Sequence, residues 1–358
     1  MSTPQARPEL SQIPRYVAGR PPVARPGVAA YKLSSNENPY PPLPGVLEAV
    51  ERAVAAANRY PDMGSARLVD ALAKARSVPR EDVAVGTGSS ALIYGLLSAY
   101  CGPGDEVVHP WRSFEAYPIA ISASGATGVP VPNLPDCSHD VDGLIAAVTP
   151  RTRVLMLCSP NNPTGPALSQ ADVDRVLAAV PGDVLVMLDE AYAEFVRRPD
   201  AADGIATYAG HANLVVLRTF SKAHGLAGLR VGYAVGRSAL LDPVRAILLP
   251  FGVSTAAEAA GVASLEAEDA LLERVAAVVA KREKVVDEIR AMGWQVPDAQ
   301  GNFFWLPMAG DQLASFVAAA EDAGVTVRPL GGEGVRVTIG ESEANGRILR
   351  VAAAMRAR

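Results

Sequence analysis

The 358-residue chain contains little cysteine, and its few thiols show no pattern. Cys101, Cys137 and Cys158 are scattered, odd in number, and lack the spacing of metal ligands. This arrangement argues against a disulfide framework and against a zinc site, and it fits a reducing compartment. We therefore expect no bound metal.

The chain also lacks any block of charges of one sign. Lys and Arg number 33 against 38 Asp and Glu, which gives a formal net charge of −5. Such a balance argues against nucleic acid as the main partner. It leaves room for a local positive pocket that binds a small anionic substrate.

Long apolar runs are missing as well. The opening stretch, MSTPQARPELSQIPRYVAGRPPVARPG, contains none and does not resemble a signal peptide. No later segment reaches the length of a membrane span. We therefore expect a soluble, cytoplasmic protein without a membrane partner.

The chain is rich in apolar residues, which make up 49% against 20% charged residues, and this is enough for a large core.

Changes in composition along the chain predict three parts. Residues 1–43, rich in proline and arginine, are expected to form an arm that joins a smaller domain. Residues 44–243 should form a large domain, and residues 244–358 the smaller one.

The large domain alternates short apolar runs with helical stretches. Strand candidates cover 82–86, 105–110, 127–132, 153–160, 183–190, 213–220 and 229–235, and helical stretches cover 89–100, 113–123, 140–148 and 169–180. Because the strands are continuously apolar, this alternation predicts an α/β fold with a mostly parallel sheet covered on both faces.

The pattern changes after Pro243. A helical region from about 255 to 292 precedes GNFFWLP, a helix near 311–323, two further apolar runs and a last helix. These elements predict a smaller α+β domain at the C-terminus.

Ligands of open α/β sheets bind beyond the carboxyl ends of the strands, so binding residues are expected directly after each predicted strand. The predicted strand 82–86 leads into GTGSSALIYGLL, in which Gly88, Ser89 and Ser90 open a helix. Free N–H groups and hydroxyls at a helix start can cradle an anion. Taken alone, a glycine-rich turn with a serine N-cap explains this segment equally well.

Two further strand ends carry polar side chains. SPNNPTG places Asn162 in a rigid loop, where it can donate to a ligand or form an Asx turn. DEAYAEF places Asp189 at the end of a buried strand, where a carboxylate is costly unless it meets a cation. Tyr192 lies one turn further on and can project to the same side.

The segment RTFSKAHGLAGLRVGY follows another apolar strand and contains Lys222. Most lysines are simply exposed, but this one is flanked by Ser221 and by small residues, eight positions before Arg230. A lysine held in such a place can have a lowered pKa and attack a carbonyl group.

These strand ends together fit one cofactor, pyridoxal 5'-phosphate. It requires a lysine for its aldehyde, an acid beside its ring nitrogen, donors to its ring oxygen and a cradle for its phosphate. Each requirement has a candidate side chain, and all of the candidates are expected at one edge of the sheet.

The chain resembles the fold-type I, pyridoxal-phosphate-dependent aminotransferases, in the histidinol-phosphate aminotransferase branch. The resemblance rests on segments that occur in order along nearly the whole chain: SNENPYPP, NRYPD, GTGSSALI, SPNNPTG, DEAYAEF, TFSKAHGLAGLRVGY, GNFFWLP and VRVTIG.

The resemblance implies roles for individual residues. Lys222 bonds the cofactor aldehyde and moves a proton, and Asp189 pairs with the ring nitrogen. Ring contacts are implied for Asn162, Tyr192 and Phe114. Phosphate contacts are implied for Ser89, Ser90, Ser221 and Arg230, and for Tyr60 from the second subunit of a homodimer. Substrate contacts are implied for Arg336, Arg328, Asn38, Asn302 and Tyr16.

The segment HPWRSFEAYP bears on the substrate. It is similar to the form found in the actinobacterial aromatic amino acid (phenylalanine) aminotransferases. We therefore expect transamination of Phe, Tyr or Trp with 2-oxoglutarate, and histidinol phosphate as the alternative substrate. A threonine-phosphate decarboxylase shares most of the motifs. A non-catalytic regulator would need a DNA-binding domain, for which the arm leaves no room.

Overall fold

A computed structural model describes residues 3–5, 10, 13, 16–22 and 27–356. The arm predicted over 1–43 lies partly outside these residues. The strands are β1 (Tyr31–Lys32), β2 (Val83–Gly86), β3 (Glu106–Trp111), β4 (Thr127–Pro132), β5 (Thr152–Cys158), β6 (Leu185–Asp189), β7 (Leu214–Thr219), β8 (Gly232–Gly236), β9 (Phe303–Pro307), β10 (Val325–Thr326), β11 (Arg328–Leu330) and β12 (Gly334–Thr338).

The α-helices are α1 (Val46–Val54), α2 (Ala66–Arg76), α3 (Ser89–Tyr100), α4 (Ala116–Ser124), α5 (Val141–Ala146), α6 (Gln170–Ala179), α7 (Gly204–Tyr208), α8 (Ser238–Ile247), α9 (Thr255–Glu266), α10 (Glu268–Ala291), α11 (Gly310–Asp322) and α12 (Ser342–Arg356). Among the described residues, none of the helices combines the length and apolar character needed to cross a bilayer.

The central sheet has seven strands in the order β2-β8-β7-β6-β5-β3-β4. Strand β8 runs antiparallel to both of its neighbours, and the other pairs are parallel. The prediction of a mostly parallel sheet is confirmed. Strands β2, β5, β6 and β7 consequently end at the same edge of the sheet.

Alternate residues of the central strands pack into two separate cores. In β6, Val186 and Leu188 belong to one core, whereas Leu185 and Met187 belong to the other. Successive side chains of a strand point to opposite faces, so both faces of this sheet are covered. Each fully buried Val or Leu contributes roughly 1.5–3 kcal/mol to stability.

A three-stranded antiparallel sheet, β11-β12-β9, forms the core of the C-terminal part with α10, α11 and α12. Strand β1 of the predicted arm pairs in parallel with β10. Helix α8 contains Pro243, at the predicted domain boundary. The boundaries themselves stay a prediction.

The helical region expected from 255 to 292 is divided into α9 and α10 at Ala267, whose φ of −96° and ψ of 35° are not helical. Helix α9 packs against α1 and α2, whereas α10 packs against α12. Neither glycine nor proline marks this break in the sequence. The break at Ala267 is therefore explained by the different helices that α9 and α10 pack against, and not by a residue of low helix propensity.

Candidate active site

The polar groups expected at the strand ends meet in one cleft with a cavity volume of about 180 Å³. Asp189 ends β6, Lys222 closely follows β7, and Ser89 begins the helix after β2. The predicted residues that line this cleft are Tyr16, Ser89, Ser90, Phe114, Asn162, Asp189, Tyr192, Ser221, Lys222, Arg230, Arg328 and Arg336.

Lys222 is held by backbone carbonyl groups of the segment that follows β1. Its Nζ donates to the carbonyl oxygens of Ser35, at 3.2 Å, and Asn36, at 3.3 Å. Burial lowers the pKa of Lys222 to about 7, and the positive charge of Arg336 contributes to the lowering. A substantial fraction of the amine is therefore neutral near pH 7, which makes it able to attack a carbonyl group.

Asp189 is buried, with 4% of its surface exposed. The hydroxyl of Tyr117 donates to its Oδ2 at 2.8 Å, and the amide of Ala191 donates to its Oδ1 at 3.2 Å. Burial raises the pKa of Asp189 to about 6, whereas the hydrogen bond from Tyr117 lowers it. A cationic N–H group in the cleft would favour the ionised form, so the site fits a protonated ring nitrogen.

The start of α3 forms an anion cradle. Gly88 precedes the helix with a φ of 81°, and in the described structure no side chain caps this helix start. Ser89 and Ser90 open the helix and line the cleft, so the positive end of the helix dipole lies at the cleft. Arg230 donates to the hydroxyl of Ser221, at 3.2 Å, and brings a positive charge to the same place.

Two glycines keep this cradle open. A Cβ on Gly88 would lie 2.5 Å from Nη2 of Arg230, and a Cβ on Gly232 would lie 2.4 Å from the backbone nitrogen of Ser89. Larger residues would therefore displace the donors. The hydroxyls, the guanidinium group and the free helix start are the donor set that a phosphate requires.

The side chains of Asn162 and Tyr192 each accept a hydrogen bond and keep a donor available. Arg336 donates to Oδ1 of Asn162 at 2.6 Å, so the Asn162 amide N–H groups are left to donate to a ligand. Asn36 donates to the Tyr192 hydroxyl oxygen at 2.9 Å, which leaves the Tyr192 proton for another acceptor. Burial raises the pKa of Tyr192 and keeps this hydroxyl protonated.

Arg336 presents a guanidinium group to the cleft from β12. Its Nη2 donates to the carbonyl oxygen of Ser34 at 2.8 Å, and its buried Nε has no hydrogen-bond partner in the described part of the chain. An unpartnered buried donor fits a ligand oxygen. Arg328 lies beside it on β11 and forms an ion pair with Glu115 at 2.6 Å.

Asn38 and Asn302 are not among the described residues that line the cleft. Asn38 donates to the backbone carbonyl oxygens of Lys222 and Ala223, at 3.3 and 3.0 Å, and so holds the lysine loop. Asn302 donates to the Asn36 carbonyl oxygen at 3.1 Å. Both stabilise the wall of the cleft, and their predicted contacts with substrate stay a prediction.

Tyr60 lies away from the cleft of its own chain. Its side chain is 83% exposed and stacks on Phe251, with ring centroids 4.7 Å apart. Its predicted contact with the phosphate in a second subunit stays a prediction.

Comparisons with known proteins agree with this geometry. The family model of aminotransferase class I and II matches residues 30–355. The chain belongs to this family. Aminotransferases of class I and II depend on pyridoxal phosphate, so the predictions of the enzyme class and of the cofactor are confirmed.

Relatives and solved structures match over nearly the whole chain. A protein named aromatic amino acid aminotransferase, from Streptomyces avermitilis, is 53% identical over 350 residues, covering 98% of this chain and 97% of the relative. Another of that name, from Thermobifida fusca, is 50% identical over 349 residues, covering 98% and 96%. The histidinol-phosphate aminotransferase from Sinorhizobium meliloti, in complex with pyridoxal-5'-phosphate, is 24% identical with a TM-score of 0.89, covering 99% and 98%.

The first two matches confirm the resemblance to the actinobacterial enzymes, and the third confirms the fold.

Several residues of this aminotransferase site were not predicted from the sequence. Asn36 and Ser35 hold Lys222, Tyr117 holds Asp189, and Glu115 pairs with Arg328. All four lie in segments singled out in the sequence, Ser35 and Asn36 in SNENPYPP and Glu115 and Tyr117 in HPWRSFEAYP, but no local pattern indicates the partners that they contact.

Proposed function

We propose that this aminotransferase moves the amino group of an aromatic amino acid (Phe, Tyr or Trp) to 2-oxoglutarate. The observation that carries the proposal is the meeting of Lys222, Asp189 and the Ser89–Arg230 cradle in one cleft. The substrate assignment is supported by relatives at 53% and 50% identity that are named aromatic amino acid aminotransferases.

When bound, pyridoxal phosphate supplies an aldehyde for the amino group and a ring that accepts electrons. Ser89, Ser90, Ser221 and Arg230 are proposed to hold the phosphate. Asp189 would keep the ring nitrogen protonated, and Asn162 and Tyr192 would donate to the ring oxygen. Phe114, in the cleft wall and edge-to-face with Tyr117 at 5.6 Å, would cover the ring.

Lys222 is proposed to bind the aldehyde first and then, once the substrate amine replaces it, to remove the proton from Cα. A pKa of about 7 suits both steps, because the neutral amine is the nucleophile and the base. Arg336 is proposed to bind the substrate carboxylate, for which its unpartnered Nε is available.

Transamination of histidinol phosphate is the second candidate. The structural likeness to the enzyme from Sinorhizobium meliloti supports a common fold, and the sequence relatives at half identity favour the aromatic substrate. A threonine-phosphate decarboxylase would use the same cofactor but release carbon dioxide, and no relative named above favours it.

The proposed assembly is a homodimer in the cytoplasm, in which Tyr60 reaches the cofactor phosphate of the other subunit. An exposed apolar surface supports it: Tyr60, Met63, Leu249 and Phe251 are 83, 69, 78 and 40% exposed.

The variant Leu249→Asp would place a charge in this apolar surface. Sedimentation should then show a shift from dimer to monomer, and a wild-type monomer with full activity would contradict the assembly.

The test of function uses purified holoenzyme with L-phenylalanine and 2-oxoglutarate. Phenylpyruvate and glutamate should form in equal amounts without carbon dioxide. Borohydride reduction followed by peptide mapping should place the cofactor on Lys222.

The variant Lys222→Ala should abolish turnover and leave the melting temperature nearly unchanged. Lys74→Ala, at an exposed lysine, is the control. Turnover by Lys222→Ala near the wild-type rate would overturn the assignment.

A further inference from the structure

The substrate end of the cleft contains three charged groups from two distant segments. Arg336 and Arg328 are direct cross-strand partners on the antiparallel strands β12 and β11, so their side chains leave the sheet on the same face. Glu115, from the start of α4, accepts a hydrogen bond from Arg328 at 2.6 Å. All three residues line the cleft.

Two like charges placed directly opposite on neighbouring strands repel each other. Glu115 offsets this repulsion by pairing with Arg328, whose side chain is 8% exposed and also donates to the carbonyl oxygen of Val17. Nη2 of Arg328 is thus committed to groups of the protein, and the carboxylate of Glu115 offsets the charge of Arg328. Arg336 differs, because its buried Nε has no acceptor within the described residues.

The three groups therefore carry a net charge of +1, and of the two arginines only Arg328 is paired with the carboxylate. That charge matches a single carboxylate. A phosphate monoester carries about −1.5 to −2 near pH 7 and binds best where two cations converge. It would need the charge of Arg328, and it would meet the carboxylate of Glu115.

We propose that Glu115 is a specificity-determining residue, which neutralises Arg328 and so makes the cleft prefer amino acids with one carboxylate over substrates with a phosphate in its place. This inference rests on the proposed function. It assigns a role to one position of the WRSFEAYP segment, and it accounts for a substrate end of the cleft that contains Arg328 and Arg336 but is suited to an aromatic amino acid.

The test compares two unreactive ligands that share a phenylethyl group and differ in the anion, 3-phenylpropanoate and 2-phenylethyl phosphate. Their dissociation constants for the holoenzyme are measured by calorimetry at pH 7.5 and fixed ionic strength. Glu115→Gln keeps the side-chain size and releases Arg328. It should tighten the binding of the phosphate about tenfold relative to the carboxylate.

A matched control is Glu333→Gln, because Glu333 also pairs with an arginine, Arg112, but does not line the cleft. Its ratio of dissociation constants should equal that of the wild type. A second variant, Arg328→Gln, leaves Glu115 unpaired and should weaken the phosphate ligand more than the carboxylate. It keeps the test decisive should Glu115→Gln fail to fold.

A ratio in Glu115→Gln within twofold of wild type would overturn the proposal, as would equal weakening of both ligands in Arg328→Gln. Turnover provides a separate readout. A wild-type enzyme that fails to transaminate L-phenylalanine would contradict the proposed function, whereas the ligand ratios would still report the charge preference of the cleft.

Discussion

The hydroxyl of Tyr117 donates a hydrogen bond to Oδ2 of Asp189, 2.8 Å away, at the carboxyl edge of the central sheet. Both side chains are buried. Burial raises the pKa of Asp189, and the hydrogen bond opposes that effect by favouring the ionised form. Tyr117 is thus a positioning residue that keeps Asp189 charged for a cationic ring nitrogen.

Tyr117→Phe should weaken cofactor binding. Loss of the hydrogen bond raises the pKa of Asp189, so more of the carboxyl group is protonated near pH 6.5 and unable to pair with a cation. A hydrogen bond to a charged group contributes about 1.5–3 kcal/mol, which predicts at least a tenfold rise in the dissociation constant. The loss should shrink towards pH 9.

Equilibrium dialysis of the cofactor at both pH values measures this effect. Tyr208→Phe is the matched control, because Tyr208 donates to another buried carboxylate, Asp82, far from the cleft. Equal affinity of Tyr117→Phe and wild type at pH 6.5 would contradict the role given to Tyr117.

Asp189→Asn should change how the stability of the cofactor-free protein depends on pH. The pKa of Asp189 rises from 3.8 to about 6 on folding. Between these values the folded protein keeps a proton that the unfolded chain has released, so the wild type loses stability as pH rises through this window. The loss amounts to about 3 kcal/mol once the pH exceeds 6.

The amide side chain in Asp189→Asn does not titrate, so the variant does not lose stability as the pH rises through this window. The difference in the free energy of unfolding between Asp189→Asn and wild type should therefore grow in favour of the variant from pH 4 to pH 7. Urea titrations of the cofactor-free proteins measure it, with the exposed Asp183→Asn as control. A difference that stays constant with pH would refute the raised pKa.

Lys222 should react with carbonyl groups in a pH-dependent manner. Its pKa is lowered from 10.5 to about 7, so the ammonium form predominates below pH 7 and the neutral nucleophile above it. The rate at which cofactor-free protein captures pyridoxal should rise through pH 7 and level off near pH 8. Stopped-flow absorbance measures the rate, and a rise that continues to pH 10 would indicate an ordinary lysine.

Gly232→Ala should damage the anion cradle. Its Cβ would lie 2.4 Å from the Ser89 nitrogen and 2.8 Å from the Gly88 carbonyl carbon, which are backbone atoms that cannot turn aside. Overpacking of this kind costs about 1–3 kcal/mol, and here it moves the donors to the phosphate.

Pyridoxal phosphate should therefore bind at least about tenfold more weakly to Gly232→Ala, whereas affinity for pyridoxal, which has no phosphate, should change little. Gly228→Ala is the control, because a Cβ on Gly228 meets nothing within 4 Å. An equal loss for both ligands would show a general disruption of the site rather than of the cradle.

Local patterns in the sequence were sufficient to predict much of the fold and the groups at the strand ends. Residues 89–100 were predicted as a helix and form α3, because the glycine and serine start and the apolar spacing are local signals. Asp189 ends a continuous apolar strand and Lys222 closely follows another, and both could be predicted because strand ends mark the ligand edge of such sheets.

Contacts between distant segments could not be predicted in this way. Arg328 and Glu115 are 213 positions apart, and Asn36 and Tyr192 are 156 positions apart. Their pairing depends on how the C-terminal sheet and the segment after β1 pack against the central sheet. The break at Ala267 has the same origin, since α9 and α10 pack against different helices.

The most direct test of the account compares L-phenylalanine, L-tyrosine and L-histidinol phosphate as amino donors to one holoenzyme, with 2-oxoglutarate as acceptor. The account predicts kcat/KM values for the two aromatic amino acids that are at least about a hundredfold above that for histidinol phosphate, a difference of roughly 2.7 kcal/mol in transition-state binding. A preference for histidinol phosphate would contradict the account and assign Arg328 and Arg336 together to a phosphate.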